Sequence, residues 1–405
     1  MLGIKFRQYG LKSLKYDEAY FEIVPYLVCE LYKNFYLYHE TAVFMKYSNY
    51  SDTLTEYDSR IHPDFGIYEE EAEPVMGYDK LFDVRTDRAF ISYKFKYGKL
   101  KIGRDYFRLG PAYRNALFLS GYSRPINFLY NLFLKLGKFN ITTFSAVLTE
   151  RRGVKAFLAK RIELNTSKLI IGVEECAICS IQHYIEYFNP IDLYYISQRH
   201  GRGDANLACG VDANFIPTKG INIYSEIFLD DPIIFSKTQP FKAGGTFGLH
   251  LTDLFGTRMT ELRTEFTAVP RWVYTHRTYL NAHSFKNNSL GFWAGCDAID
   301  SYLELTKYFT PLNGVKLTFE YFRHGTGRLN LPWDKEKPVF PNPRPEAIGL
   351  PSGIVDTRVI FEIRLFTMLK FAEFQTGLAY YKVINYKNIE NKNINYFVFK
   401  IFIEF

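Results

Sequence analysis

The chain ends with the stretch Phe397-Val398-Phe399-Lys400-Ile401-Phe402-Ile403-Glu404-Phe405, in which side chains alternate between two faces. Phe397, Phe399, Ile401, Ile403 and Phe405 share one face and are all apolar, whereas the other face carries Lys400 and Glu404 beside Val398 and Phe402. A period of two residues predicts a β-strand with one apolar side.

The same alternation recurs along most of the chain. It is found in residues 221–229, 247–252, 262–266, 315–321 and 359–365, where charged or hydroxyl residues lie opposite aliphatic and aromatic ones. Counting such runs gives about 17 to 19 candidate strands of roughly nine to twelve residues, from about residue 20 onwards. Helical periodicity is nearly absent, so the sequence predicts an all-β protein.

Strand length and polarity distinguish a membrane barrel from a soluble sandwich. Sandwich strands usually have about five or six residues, whereas strands that cross a bilayer at a tilt need about nine to eleven. The polar face carries charges of both signs, as expected for a polar lumen. Aromatic residues make up 18% of the chain, as expected for a barrel wall with aromatic girdles. We therefore predict a transmembrane antiparallel β-barrel of about 18 strands, with 16 also possible. A helical membrane protein is excluded, because no run of about 18 apolar residues occurs.

The connections between the predicted strands fall into two classes. Tight-turn signals occur at 97–99, 136–138, 217–220 and 311–314, and we expect them on the periplasmic side. Long links occur at 47–85, 106–125, 179–204, 230–241 and 329–355, and six of the 17 prolines lie in the last of these. Because long loops in compact proteins usually serve a function, we expect extracellular loops, with 106–125 and 331–353 as loop or plug segments folded inward. One barrel domain, 1–405, is the simplest interpretation.

Several other classes of protein lack support in the sequence. The net charge of +7 arises from interleaved positive and negative residues, without the clustered basic patch that nucleic-acid binding needs. The five cysteines are too few and irregular for a disulfide framework, and the lone Cys176–Cys179 pair has no second ligand pair at zinc spacing. Motifs of hydrolases, metalloproteases and nucleotide-binding enzymes are missing as well. We expect no metal, no cofactor and no catalytic residues.

One region resembles a known family. It runs from Arg88-Ala89-Phe90-Ile91 through Leu100-Lys101-Ile102-Gly103-Arg104-Asp105, Leu109-Gly110-Pro111 and Asn115-Ala116-Leu117-Phe118-Leu119-Ser120 to Arg124-Pro125. Further on, Tyr187-Phe188-Asn189-Pro190 and Tyr224-Ser225-Glu226-Ile227-Phe228-Leu229-Asp230-Asp231 continue the same order. These segments resemble the capsule-assembly Wzi family of outer-membrane proteins.

The resemblance implies a plugged 18-stranded barrel in the bacterial outer membrane that attaches or organises capsular or other exopolysaccharide at the cell surface. It implies no catalysis. Residues that would bind polysaccharide or order the plug are Arg104, Asp105, Arg108, Tyr113, Arg114, Tyr122, Arg124, Arg199, His200 and Arg202. Arginine suits uronate carboxylates because it makes paired hydrogen bonds. The alternative is that these arginines pair with carboxylates in the lumen and hold the plug.

The charged lumen has its own candidate network. Its predicted members are Glu226, Asp230, Glu261, Arg263, Glu265, Glu320, Glu362, Arg364, Lys400 and Glu404. The same lumen keeps a general or substrate-selective diffusion porin open as the second hypothesis, and a barrel enzyme is a third, motivated by precedent.

The expected partners are outer-membrane lipid, surface polysaccharide and the machinery that assembles outer-membrane barrels. The ending in Phe405, with apolar residues at every second position before it, resembles the C-terminal signal that this machinery recognises. A monomer is expected. Met1-Leu2-Gly3-Ile4-Lys5-Phe6 lacks the features of a signal peptide. Three explanations stay open: the signal was removed, the start is misassigned, or the protein is not exported.

Overall fold

The structure is a computed structural model of the chain. It describes residues 2–12, 17–48, 82–150, 152–200, 204–231, 240, 242–253, 256–286, 288–332, 349–370 and 372–404. Two of the predicted positions, Arg202 and Phe405, lie outside these residues, and so do the side chains of His200 and Glu404.

Among the described residues, eighteen long strands form one sheet. They are β1 (Leu2–Lys12), β2 (Asp17–Tyr32), β3 (Phe35–Ser48), β4 (Phe82–Phe95), β5 (Gly98–Asp105), β6 (Ile126–Leu136), β7 (Phe139–Glu150), β8 (Gly153–Asn165), β9 (Leu169–Ser180), β10 (Ala205–Phe215), β11 (Ile221–Asp230), β12 (Ala243–Thr252), β13 (Thr260–Val269), β14 (Ala298–Thr310), β15 (Asn313–His324), β16 (Asp356–Met368), β17 (Glu373–Ile384) and β18 (Ile394–Glu404).

Each strand pairs antiparallel with its neighbours in the chain, and the sheet closes on itself. The closing pair joins β1 to β18, in a register that runs from Lys5 opposite Glu404 to Lys12 opposite Phe397. Closure leaves no strand edge unpaired, which a bilayer requires because lipid cannot satisfy backbone hydrogen bonds. The predicted all-β barrel of about 18 strands is confirmed.

The two ends of the barrel differ in their connections. Tight turns follow β4, β6, β10 and β14, where the sequence predicted them. Every long connection joins an odd-numbered strand to the next strand and lies at the opposite end. We call these the tight-turn end and the long-connection end. The connection from β9 to β10 contains two short helices, α1 (Tyr184–Tyr187) and α2 (Tyr194–His200). No helix in the described part of the chain is long and apolar enough to cross a membrane.

Alternation along the strands separates a lipid-facing wall from the lumen. On β16, Phe361 and Ile363 are about half exposed on the outer face, whereas the Glu362 side chain between them points inward and is 9% exposed. Not every charged residue on a strand faces the lumen. Lys160 and Glu175 share the outer face with the exposed Ile162 and Val173.

Two connections fold into the barrel and form its core. Residues 106–125, which we call the inner plug, were expected to fold inward, and they do. Residues 270–297, the second plug, were not among the predicted long links, yet most of them are buried. The plugs pack against inward side chains of the wall in one apolar cluster, which includes Phe118, Phe228 and Phe292. Most of the predicted plug segment 331–353 falls outside the described residues.

Candidate functional site: the plugged lumen

The inner plug is a short hairpin that crosses the lumen. Arg108 and Leu109 pair with Ser120 and Leu119, and the turn between them, residues 110–118, reaches the opposite wall. Glycine is required where this turn approaches the wall. A Cβ on Gly110 would lie 2.2 Å from Oε1 of Glu226, and its φ of +101° is in the region that favours glycine.

Two carboxylates from the wall hold the backbone of this turn. Glu226 on β11 accepts hydrogen bonds from the backbone N–H groups of Ala112 and Leu117, both at 2.8 Å. Glu265 on β13 accepts hydrogen bonds from the N–H groups of Tyr113, at 2.7 Å, and of Asn115, at 2.8 Å. A carboxylate is an acceptor only, so it matches a run of backbone donors that no secondary structure satisfies.

The Glu265 site is completed by further contacts. The N–H of Arg114 lies 3.2 Å from its Oε1, and the hydroxyl of Tyr224 donates to its Oε2 at 2.8 Å. The guanidinium of Arg114 pairs with Glu320 at 2.9 Å and lies 3.7 Å from the centroid of the Tyr302 ring. Four strands of the wall, β11, β13, β14 and β15, therefore fix this one turn.

The second plug lies against the inner plug. Tyr274 donates its hydroxyl hydrogen to the carbonyl of Leu117 at 2.8 Å. Nε2 of His283 lies 2.8 Å from the carbonyl of Phe118, which assigns the ring proton to Nε2. The backbone N–H of Ser120 donates to the carbonyl of Leu290 at 3.0 Å. The two plugs form one hydrogen-bonded unit.

Burial sets the protonation state of His283. Its imidazole is wholly buried among aromatic rings, and desolvation lowers its pKa from 6.5 to about 4. The ring is neutral at neutral pH, which suits a side chain that donates one hydrogen bond and lies 4.0 Å from the sulfur of Cys176.

A polar cluster anchors the second plug to the β15–β16 connection. The carboxylate of Asp297 accepts hydrogen bonds from the N–H groups of Gly327 and Ser352, at 2.7 and 2.8 Å, and from the Ser352 hydroxyl at 2.6 Å. Arg271 donates to Ser352 and Thr326, at 2.7 and 2.9 Å. Asp297 and Arg271 are 0% and 4% exposed, so this cluster is part of the buried structure and does not face solvent.

A cavity of about 570 Å³ remains on the tight-turn side of the inner plug. Its lining combines basic residues, carboxylates and tyrosines, and includes Arg108, Tyr113, Arg114, Tyr122, Tyr302, Glu304, Lys316, Glu320, Glu362, Arg364, Tyr381 and Lys400. Eight of these are candidates from the sequence: Arg108, Tyr113, Arg114 and Tyr122 from the polysaccharide or plug set, and Glu320, Glu362, Arg364 and Lys400 from the lumen network. The fold brings them together. Charges of both signs in one cavity favour ion pairing among themselves over the binding of one charged ligand.

Comparisons with known proteins identify the family. A family model, capsule assembly protein Wzi, matches residues 37–346. The chain belongs to the Wzi family. Its fold is similar to that of Escherichia coli Wzi, described as an outer membrane protein involved in group 1 capsule assembly and a carbohydrate-binding β-barrel. The TM-score is 0.65 at 12% identity, over 99% of this chain and 83% of that chain. A search of the curated proteins found no match.

Porin-type barrels share the fold more distantly. OprD of Pseudomonas aeruginosa aligns with a TM-score of 0.52 at 7% identity, over 100% of this chain and 92% of that chain. OpdK of the same organism aligns with a TM-score of 0.50 at 9% identity, over 100% of this chain and 96% of that chain. Membership of the Wzi family places this chain in the bacterial outer membrane as a capsule-assembly barrel.

The remaining polysaccharide or plug candidates of this Wzi-family chain do not lie together at the cavity. Arg104 lies on the outer face of β5, where its Nη1 donates to the Asn127 side chain at 3.2 Å. Asp105, at the end of the same strand, is buried, and Arg124 is buried where the inner plug ends. Arg199 is exposed on α2, and its guanidinium lies 5.2 Å from the centroid of the Tyr195 ring.

Most of the predicted lumen network is assembled in the Wzi-family barrel. Glu362 pairs with Arg364 and with Lys400, the latter at 2.8 Å, and Glu261 pairs with Arg263 at 3.3 Å. Asp230 accepts a hydrogen bond from the backbone N–H of Tyr274 at 2.6 Å. Glu226, Glu265 and Glu320 hold the inner plug as described above.

Other groups of the lumen were missed by the sequence reasoning. Arg161 pairs with Glu174 at 2.7 Å and with Asp212 at 2.8 Å, across three neighbouring strands. Arg161 and Asp212 lie on the polar side of alternating strands, and that pattern is the signal that could have found them, whereas Glu174 lies on a largely apolar face of β9. Arg271 and Asp297 lie in connections, where no period marks them. Among the described residues, no cluster of three or more His, Cys, Asp or Glu side chains could hold a metal ion.

Proposed function

We propose that this chain attaches or organises capsular or other surface polysaccharide on the extracellular side of the outer membrane, without catalysis, as one barrel of residues 1–405. Membership of the Wzi family supports the role in capsule assembly. A solved relative of similar fold is described as carbohydrate-binding, which supports a glycan as the ligand.

The observation that carries the proposal is the anchored inner plug. Five backbone N–H groups of residues 112–117 donate to two carboxylates of the opposite wall, so the turn spans the lumen at mid-height. A diffusion porin needs a continuous aqueous path, whereas a barrel that holds a polymer at the surface does not. The plug therefore favours attachment over diffusion.

A group beside the start of the inner plug, in the middle of β4 and at the end of β5, suits sugar binding. Nε of Arg88 lies 3.4 Å from Oδ1 of Asp105, and its guanidinium lies 5.3 Å from the centroid of the Tyr106 ring. The Arg88 side chain is 36% exposed. An arginine beside an aromatic ring offers paired donors to a uronate and a flat face to a pyranose. Long connections lie on the extracellular side in outer-membrane barrels, where polysaccharide is found.

The test combines binding with conductance. Purified surface polysaccharide of the producing bacterium is titrated onto the protein in nanodiscs, and Arg88→Ala is compared with Arg108→Ala, which changes the cavity on the other side of the plug. We expect Arg88→Ala to weaken binding at least fivefold and Arg108→Ala to leave it unchanged. The wild-type barrel should be silent in a planar bilayer. Regular conductance steps without glycan binding would favour the porin and overturn the proposal.

A further inference from the structure

Residues 181–200 of the connection between β9 and β10 lie on the outer face of the barrel. We call residues 181–200 the outer hairpin. Tyr184 forms a hydrogen bond of 2.7 Å with the hydroxyl of Ser145, whose neighbours on β7, Phe144 and Ala146, face the lumen. By alternation, Ser145 points outward. The outer hairpin therefore covers the wall from the side that faces lipid.

The wall beneath the hairpin is built mainly from small residues. The buried rings of Tyr187 and Tyr194 pack against a cluster of outward side chains: Ala156, Leu158, Ala177, Cys179, Ala205 and Leu207. Elsewhere the outer face of these strands carries larger residues that are half exposed, such as Ile162 and Val173. Alanine and cysteine let the hairpin approach the sheet closely, so β8, β9 and β10 have a built seat for it.

The seat includes an ion pair that points away from the lumen. Nζ of Lys160 lies 3.4 Å from Oε2 of Glu175 and 3.8 Å from the centroid of the Tyr194 ring. The backbone N–H of Tyr195 donates to Oε1 of Glu175 at 2.9 Å. The hairpin thus supplies both an aromatic face and a backbone donor to charges that would otherwise meet lipid.

The position of this pair along the strands sets its depth. Lys160 is five residues above Asn165, where β8 ends at the tight-turn end. At about 3.3 Å per residue and a tilt of about 40°, five residues rise about 13 Å, roughly half of an apolar band about 25 Å tall. The covering hairpin consequently reaches below the surface of the bilayer.

The free side of the hairpin carries exposed apolar side chains beside exposed polar ones such as Glu186 and Asp192. Ile185 is 84% exposed and Ile191 is 88% exposed, and Ile196 is exposed on α2. This surface continues the lipid-facing wall represented by Val211 on β10. Exposed isoleucines next to a lipid-facing wall match an interfacial element that buries one side in acyl chains.

We propose that the outer hairpin is seated in the outer leaflet of the membrane, with acyl chains as the partner of Ile185, Ile191 and Ile196. It covers the Lys160–Glu175 pair and widens the barrel at the extracellular side. The lumen and the glycan have no part in this proposal, so it stands or falls independently of the proposed function.

Spin-label accessibility tests the proposal in the full chain, reconstituted in phosphatidylcholine and phosphatidylglycerol liposomes. Cys29 and Cys209 are first replaced by serine, since the other three cysteines are buried. Single cysteines carrying a nitroxide are then placed at Ile185 and Ile191. Val211→Cys on the outer wall serves as the lipid control, and Lys219→Cys in a tight turn serves as the water control.

We expect the labels at Ile185 and Ile191 to collide more often with oxygen, which dissolves in lipid, than with a water-soluble nickel complex. The ratio of the two collision rates should be within twofold of the ratio at Val211. A ratio like that at Lys219 would place the hairpin in water and overturn the proposal. Labels shielded from both reagents would mean that a second copy or another protein covers the surface, which would also overturn it.

Discussion

Replacing Glu265 by alanine should release the inner plug and open the lumen to ions. Its carboxylate accepts three backbone N–H groups, those of Tyr113, Arg114 and Asn115, and the hydroxyl of Tyr224. Alanine leaves these donors without an acceptor, and of the three N–H groups that of Asn115 is buried whereas those of Tyr113 and Arg114 are partly buried. No other wall carboxylate contacts these three N–H groups among the described residues.

The magnitude follows from the number of orphaned donors. Each buried N–H without a partner costs about 1–3 kcal/mol, and water that enters the space left by the side chain offsets part of the sum. A net destabilisation of the plugged state by about 3 kcal/mol raises the population with a released plug roughly a hundredfold, since 1.4 kcal/mol corresponds to a factor of ten.

Single-channel recording in planar bilayers measures this population directly. Glu265→Ala should show frequent openings where the wild type is silent. Glu261→Gln is the matched control, since Glu261 lies on the same strand and face but bonds His250 and Arg263 instead of the plug. Silence of Glu265→Ala, together with wild-type resistance of the plug to protease, would refute the assignment of Glu265 as an anchor.

Three further outcomes are expected. Gly110→Ala should lower the melting temperature and raise conductance, because the added Cβ would lie 2.2 Å from Glu226 Oε1; unchanged values of both would contradict the close approach. Stability in detergent should fall as the pH drops from 6.5 to 4, since the folded-state pKa of His283 is about 4 and the unfolded chain binds the proton first. The fall should be smaller in His283→Gln; an equal fall would exclude His283 as its source. Asp297→Ala should destabilise the docked position of the connection around Ser352 by about 2–4 kcal/mol and so expose that connection to protease. Unchanged digestion would count against this anchor.

Local sequence patterns were sufficient to predict the strands of the barrel wall, but they were insufficient to predict the side to which each charged strand residue points. The strand at 359–365 and the turn at 136–138 were predicted because each depends on neighbouring residues. Glu226 and Glu362 face the lumen, whereas Lys160 and Glu175, which no prediction covered, face outward. Strand alternation places those two on the outer face, and the outer hairpin, which directly follows β9 in the chain, covers them.

Connections show the same limit. Residues 106–125 were predicted to fold inward from their length and motifs. Residues 270–297 were overlooked, because their buried aromatic residues do not recur with a period of two and the segment is not rich in proline. The candidates Arg108, Tyr113, Arg114 and Tyr122 meet at one cavity, but the sequence did not show on which side of the plug.

The sequence by itself determined a barrel of about 18 strands, because a period of two residues is set by the backbone of each strand, and the order of its short motifs indicated the Wzi family. Tertiary structure alone decided which connection fills the lumen and which one covers the wall. Glu226 and Glu265 meet residues 112–117 across more than a hundred positions of sequence. Closure of the sheet brings β11 and β13 opposite the inner plug, and no local pattern encodes that distance.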